Sequence, residues 1–241
     1  MAQNDENPRD DEQEPNVLPE HLTEVRPLAE AVLVLSERLD VLYEEDDAKH
    51  ETEDESDSES GGPPEAIVAL LRELSQAALT LAAALDEDDE ALFDLDEWSQ
   101  ERELLPVLVE LPMALVAVSE LDAALAVARA FSFVAPESYS GDIAIIFAES
   151  GDQAAARAQL DANLEQYADS FLTALKAGEA LEALGDAAEA EASYRRALTL
   201  ATDEAEREIA AMQLAGFLED AGREGEIEAL LASTDASEAK H

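Results

Sequence analysis

The sequence predicts an all-α fold: a short α-solenoid of antiparallel helix hairpins, with atypical helices at its N-terminal end. Three observations lead there. Two matching turns, Gly151-Asp152 and Gly185-Asp186, stand 34 residues apart, each between a helix-like stretch and an alanine-rich one. Apolar residues recur at three and four along most of the 241 residues, with no period-two alternation of useful length. Cysteine is absent, so neither a disulfide framework nor a thiolate metal site competes with a packed helical core.

The elements follow in order. Residues 1–20 are polar and acidic, hold Pro8, Pro15 and Pro19, and are expected to stay disordered because little there offsets the entropy of ordering. Over 21–43, Leu22, Val25, Leu28, Val32, Leu35 and Leu39 mark an amphipathic helix. Pro27 requires that helix to begin at Val25 or Arg26. Residues 44–63 are a run of like charges closed by glycine and proline, expected to be a flexible acidic linker that leaves the 21–43 helix isolated.

An N-terminal helical part is expected over 64–134. A strong helix runs over 64–85, and acids at 86–90 oppose the dipole at its end, so fraying is expected there. Residues 91–99 are short, with Trp98 as a lid. Residues 101–117 read as a helix bent near Pro106 or Pro112, and 120–133 as another. From 135 to 232 the pattern is regular: 138–149 pairs with 152–166, 168–184 with 187–201, and 204–221 with 224–232. Each hairpin turns at a glycine: Gly151, Gly185, Gly222. The tail 233–241 is expected to be disordered.

Residues 171–204 place Gly178, Ala190 and Ala197 as small residues, Leu181 and Tyr194 as large ones and Gly185 at the turn. On that pattern they resemble a tetratricopeptide repeat, with Ala174 standing where tryptophan is usual and Thr202 where proline is common. Gly178, Ala190 and Ala197 permit close helix approach, and Leu181 and Tyr194 fill the space between layers. In 137–170 the same places hold Ala144, Phe147, Gly151, Ala156, Leu160 and Asn163; Asn163, in place of alanine, is expected to loosen its contact. The last unit, stretched to a 37-residue spacing, offers Ala215, Leu218, Gly222 and Ile227. Residues 103–136 read as a degenerate earlier unit in a frame slipped by one.

The chain carries 59 acidic and 14 basic residues, a formal net charge of −45, spread over every segment. Such a surface repels nucleic acid and anionic membranes. Few lysines with abundant aspartate, glutamate and alanine resemble the proteins of salt-in halophiles, where a Debye length of about 3 Å at molar salt removes most self-repulsion. The start, MAQNDENPRDDEQEP, lacks the charged and apolar regions of a signal peptide. The apolar stretch 104–118 is interrupted by Pro106, Glu110 and Pro112 and is too short to span a bilayer. A cytoplasmic protein is expected.

Chemistry is sparse. His21, His50 and His241 cannot readily converge, and no zinc-protease, P-loop, dinucleotide or nucleophile-elbow motif occurs. The acids at 86–90 lack the glycine and terminal glutamate of a calcium loop. Glu110, between Val109 and Leu111, sits in the most apolar setting of any acid but reads as a polar-face residue. No catalytic residue, cofactor or metal is expected. Arg195 and Arg196 are expected to face solvent and pair with nearby acids.

The expected function is therefore a non-enzymatic scaffold or adaptor. First helices line the concave face of such a stack, which nominates Phe171, Leu172, Leu175, Lys176 and Glu179, with Gly141, Asp142 and Gln213 at equivalent places. Some tetratricopeptide domains clamp carboxylates with lysine, arginine and asparagine. Here Leu175 and Glu179 hold two such places, so the resemblance implies an apolar or basic protein or peptide partner, with neither nucleic acid nor membrane bound directly. Self-association through the 22–43 helix stays open. Two alternatives are an acidic mimic of nucleic acid that engages a nucleic-acid-binding protein, and an accessory subunit of an enzyme complex.

Overall fold

The computed structural model describes residues 18–50 and 63–227. The expectations for 1–17, for the 51–62 part of the linker and for 228–241 lie outside the described residues. After a 3-10 turn at Glu20–Leu22 come ten α-helices: α1 (Arg26–His50), α2 (Glu65–Leu85), α3 (Asp89–Ser99), α4 (Leu104–Ala117), α5 (Leu121–Ala130), α6 (Pro136–Glu149), α7 (Gln153–Gln166), α8 (Phe171–Ala183), α9 (Ala187–Leu200) and α10 (Glu204–Asp220). Residues 224–227 begin a further helical turn. No strand occurs among the described residues.

One turn is used four times. At Gly151 the Asp152 amide donates to the Phe147 carbonyl and the Gly151 amide to that of Ala148. Gly185 and Gly222 repeat this pairing, with Asp186 donating to Leu181 and Arg223 to Leu218. The glycines have φ of 79°, 78° and 68°, the left-handed residue that closes a Schellman cap. The fourth copy precedes them: Ser119 has φ 61°, its amide donates to Val116, and Glu120 donates to Leu115. Thus 104–130 is an earlier hairpin with serine in the glycine place, slipped by two residues from the 34-residue period rather than by the expected one, so that Ala124, Ala128 and Phe131 take the buried packing places. The turns sit 32, 34 and 37 residues apart.

The hairpins α4/α5, α6/α7 and α8/α9 stack so that first helix packs on first helix, most extensively α6 on α8, while α10 lies on α9. Ala144, Ala156, Ala190 and Ala197 have no exposed surface, and Leu160, Leu181, Leu218 and Tyr194 are buried beside them. Phe147 is half-buried beneath the Arg129 guanidinium, 5.8 Å from its ring centroid. Asn163 does not loosen its layer. It is buried, donates to the Ser140 carbonyl at 2.9 Å, and accepts from Ser140 Oγ and from Gln159 at 2.8 Å. A polar side chain fits there because both of its ends are satisfied. Between repeats, Arg157 of α7 pairs with Asp186 and, at 2.6 Å, with Glu189 of α9.

The N-terminal part differs from expectation in two places. The 21–43 helix is not isolated: it runs on through Glu44–His50 and packs along α2 and against α4. Its stripe of Ala29, Val32, Leu33 and Leu39 is buried, and burying a leucine or valine side chain contributes about 1.5–3 kcal/mol. Glutamate, alanine and lysine are good helix formers, so charge alone does not end the helix at 43. The acids at 86–90 do not fray α2 either. Asp86 and Glu87 are left-handed (φ 53° and 63°), and Asp88 caps α3 by accepting from the Ala91 amide at 3.0 Å. Acids poorly placed at one helix end are well placed at the start of the next. Pro112 lies inside α4 and is buried. By length and composition α2 could cross a membrane, but Ile67, Leu70, Leu71, Leu74, Ala78 and Leu81 are buried in the core.

Two clusters make up that core, one running from α1 to α6 and one from α6 to α10. α6 joins them: Tyr139 and Ile146 face the first, Ala144 and Ile145 the second.

Candidate functional site

Side chains of α4, α6, α8, α9 and α10 line a groove of about 550 Å³, which lies where the concave face of the stack is expected from the sequence. Met113 and Val116 of α4, half-buried, and Ala183 of α8, exposed, present its apolar surface, while Ile145 of α6 (3% exposed) and Tyr194 of α9 (1%) are core side chains that floor it. Glu149, Glu179 and Glu182 supply carboxylates, Lys176 the one cation, and Gln213 of α10 closes the far side.

Of the residues nominated from sequence, Lys176, Glu179 and Gln213 line this groove. Phe171 and Leu172 are half-buried at the start of α8, away from it, and Leu175 is buried in the second core cluster. The groove lies toward the C-terminal ends of the first helices, so the first turn of α8 cannot reach it. Met113 and Ile145 are not nominated from sequence, although they stand, like Glu179, six residues before the turn residue in three successive repeats.

Gly141 and Asp142 do not face the groove. A Cβ on residue 141 would lie 2.8 Å from Cβ and Cγ of Lys176, so the lysine stem rests on the bare glycine backbone. Its ammonium meets Asp142 Oδ1 at 2.8 Å and Glu179 Oε2 at 3.7 Å; the Asp142 side chain is 1% exposed and that of Lys176 17%. Burial works against the Lys176 charge, but Asp142 and Glu179 outweigh it and hold its pKa above that of ordinary lysine. Burial raises the Asp142 and Glu179 carboxyls, more than Lys176 lowers them. Lys176 is therefore committed internally. The Tyr194 hydroxyl donates to Glu182 at 2.7 Å, and burial together with that carboxylate raises its pKa.

A second groove of about 480 Å³ lies between α1, α2 and α4, floored by Leu33, Leu71, Leu74 and Leu111. Arg102 fastens its edge, reaching Glu30 at 2.7 Å and Glu37 at 2.8 Å on α1. Glu110 is exposed on its rim. Arg195 pairs with Glu191 at 2.8 Å, whereas Arg196 donates to the Ala168 carbonyl. Among the described residues no three His, Cys, Asp or Glu side chains are grouped to hold a metal ion.

No family model and no curated protein matches the chain. A solved structure described as "MamA AMB-1 P212121" is similar over 74% of this chain and 95% of its own, at 18% identity and a TM-score of 0.35. A likeness of that extent carries no argument, and the tetratricopeptide-like fold stands on the chain's own turns and packing: four hairpin turns of one geometry, with first helix stacked on first helix.

Proposed function

We propose that the chain is a non-enzymatic protein-binding scaffold whose concave groove holds a segment of a partner protein. The observation that carries this reading is the groove itself: Met113 and Val116 of α4 and Ala183 of α8 leave apolar surface open beside the exposed carboxylates of Glu149 and Glu182. Apolar surface left open on a face built from three repeats is what a peptide-binding scaffold needs. An arginine at Ala183, exposed and inside the groove, tests it against one at Ala154, exposed on the outer helix α7. In co-purification from the cells the chain comes from, Ala183→Arg is expected to lose specific partners that Ala154→Arg keeps. The same partners retained by both variants would contradict the reading.

A further inference from the structure

We propose that the groove takes a cationic amphipathic segment, its basic side chains set against Glu149 and Glu182 and its apolar side chains laid on Met113, Val116 and Ala183. This rests on the concave face being the binding surface.

The charge placement argues for it. Glu149 is the last residue of α6 and Glu182 lies in the last turn of α8, and neither helix has a base in that turn. A helix C-terminus carries partial negative charge, so each carboxylate there is unfavourable by about 0.3–1 kcal/mol. Both line one groove, so two carboxylates and two helix ends reinforce one another along one edge. The fold does not neutralise them. Among the described residues Glu149 has no ion-pair partner, and Glu182 receives only the neutral Tyr194 hydroxyl. Lys176, the one cation in the groove, is held by Asp142 and Glu179. An anionic segment would meet this edge as repulsion, and a neutral one would gain the apolar wall alone. Only a cationic one gains from both, most of all with the fork of arginine.

The overall charge of −45 attracts any cation, so the test must separate this edge from diffuse attraction. Fluorescent synthetic peptides share one amphipathic apolar pattern, with polar positions all arginine, all glutamine or all glutamate. Binding to the full chain is read by anisotropy in about 0.15 M KCl, where screening sets in beyond about 8 Å. The arginine peptide is expected to bind tightest. Glu149→Gln/Glu182→Gln should weaken it about tenfold, the scale of lost charge-assisted hydrogen bonds. Asp161→Asn/Glu165→Gln, which removes equal charge from exposed positions of α7, should change it less than about twofold. The groove pair should melt no lower than the parent, since it relieves two helix ends. Equal weakening by both pairs, or no preference for arginine over glutamine, overturns the inference. Where the glutamine peptide binds as tightly and Ala183→Arg blocks it, the cationic chemistry fails while the concave-face reading stands. Where Ala183→Arg blocks no peptide, that reading fails as well.

Discussion

The ring of Tyr194 occupies the space where residue 178 would carry a side chain: a Cβ placed on Gly178 would lie 2.5 Å from the ring's Cδ1 and Cε1. The ring packs between α8 and α9, its hydroxyl donates to Glu182 at the groove, and its centroid lies 5.8 Å from that of Phe217 on α10. The best-conforming repeat thus seals its core with the same side chain that holds a groove carboxylate in place.

Gly178→Ala must displace that ring. The expected cost is about 1–3 kcal/mol, as for other overpacked contacts, read as a lower urea midpoint. Gly216→Ala in α10 meets nothing within 4 Å and should instead gain about 0.5–1 kcal/mol from helix propensity. Equal effects at the two sites would mean that Tyr194 does not seat on Gly178.

Ser119 holds a left-handed turn that its three counterparts give to glycine. Ser119→Gly should stabilise the chain by up to about 1 kcal/mol, and Gly185→Ala should destabilise it by about 1–2 kcal/mol. Thermal melting reads both. A loss from Ser119→Gly would argue that 104–130 is not a hairpin of the same kind.

Lys176→Met strands the Asp142 carboxylate, whose side chain is 1% exposed. Breaking one partner of a buried pair costs about 3–5 kcal/mol. Asp142→Asn combined with Lys176→Met should recover most of it, and denaturant unfolding of the two single variants and the double closes the cycle. Additive losses would show that the two side chains are not coupled.

Acid should act in two opposite stages. Burial raises the Asp142 and Glu179 carboxyls, so the folded chain binds those protons more tightly than the unfolded one. Their contribution therefore grows as pH falls from neutrality through the raised values, and is complete below the ordinary carboxylate range. Glu191 runs the other way. Hydrogen bonds from Arg223 and Arg195 hold it at about 2, so its contribution is complete above the ordinary range and disappears as pH falls toward 2. Melting temperature should therefore rise as pH falls from neutrality and then decline as it falls on through the ordinary carboxylate range toward the Glu191 value. Glu179→Gln should shrink the rise and leave the fall, and a rise undiminished in that variant would remove Glu179 from the account.

How much of this was legible follows from particular residues. The Gly-Asp turns announce the hairpins because a Schellman cap needs a left-handed residue, and Asp152 then caps α7 through the Ala155 amide. The α4/α5 unit hides because Ser119 takes that place and the spacing shrinks to 32. The docking of α1 is invisible because its apolar stripe says only that it packs, not on what. The Asp142–Lys176 pair was within reach: both stand nine residues before their turns, so stacking makes them neighbours. Phe171 and Leu172 drew attention by size, whereas position along α8 decides which side chains reach the groove.

The central claim is that the concave face is the working surface. A photo-reactive residue in place of Gln213, which is exposed in the groove, compared with one in place of Ala158, which is exposed on α7, tests it most directly in the presence of the arginine peptide or a recovered partner. The account predicts a cross-linked adduct from position 213 and none from position 158. Adducts from 158 alone, or equal yields from both, would contradict it.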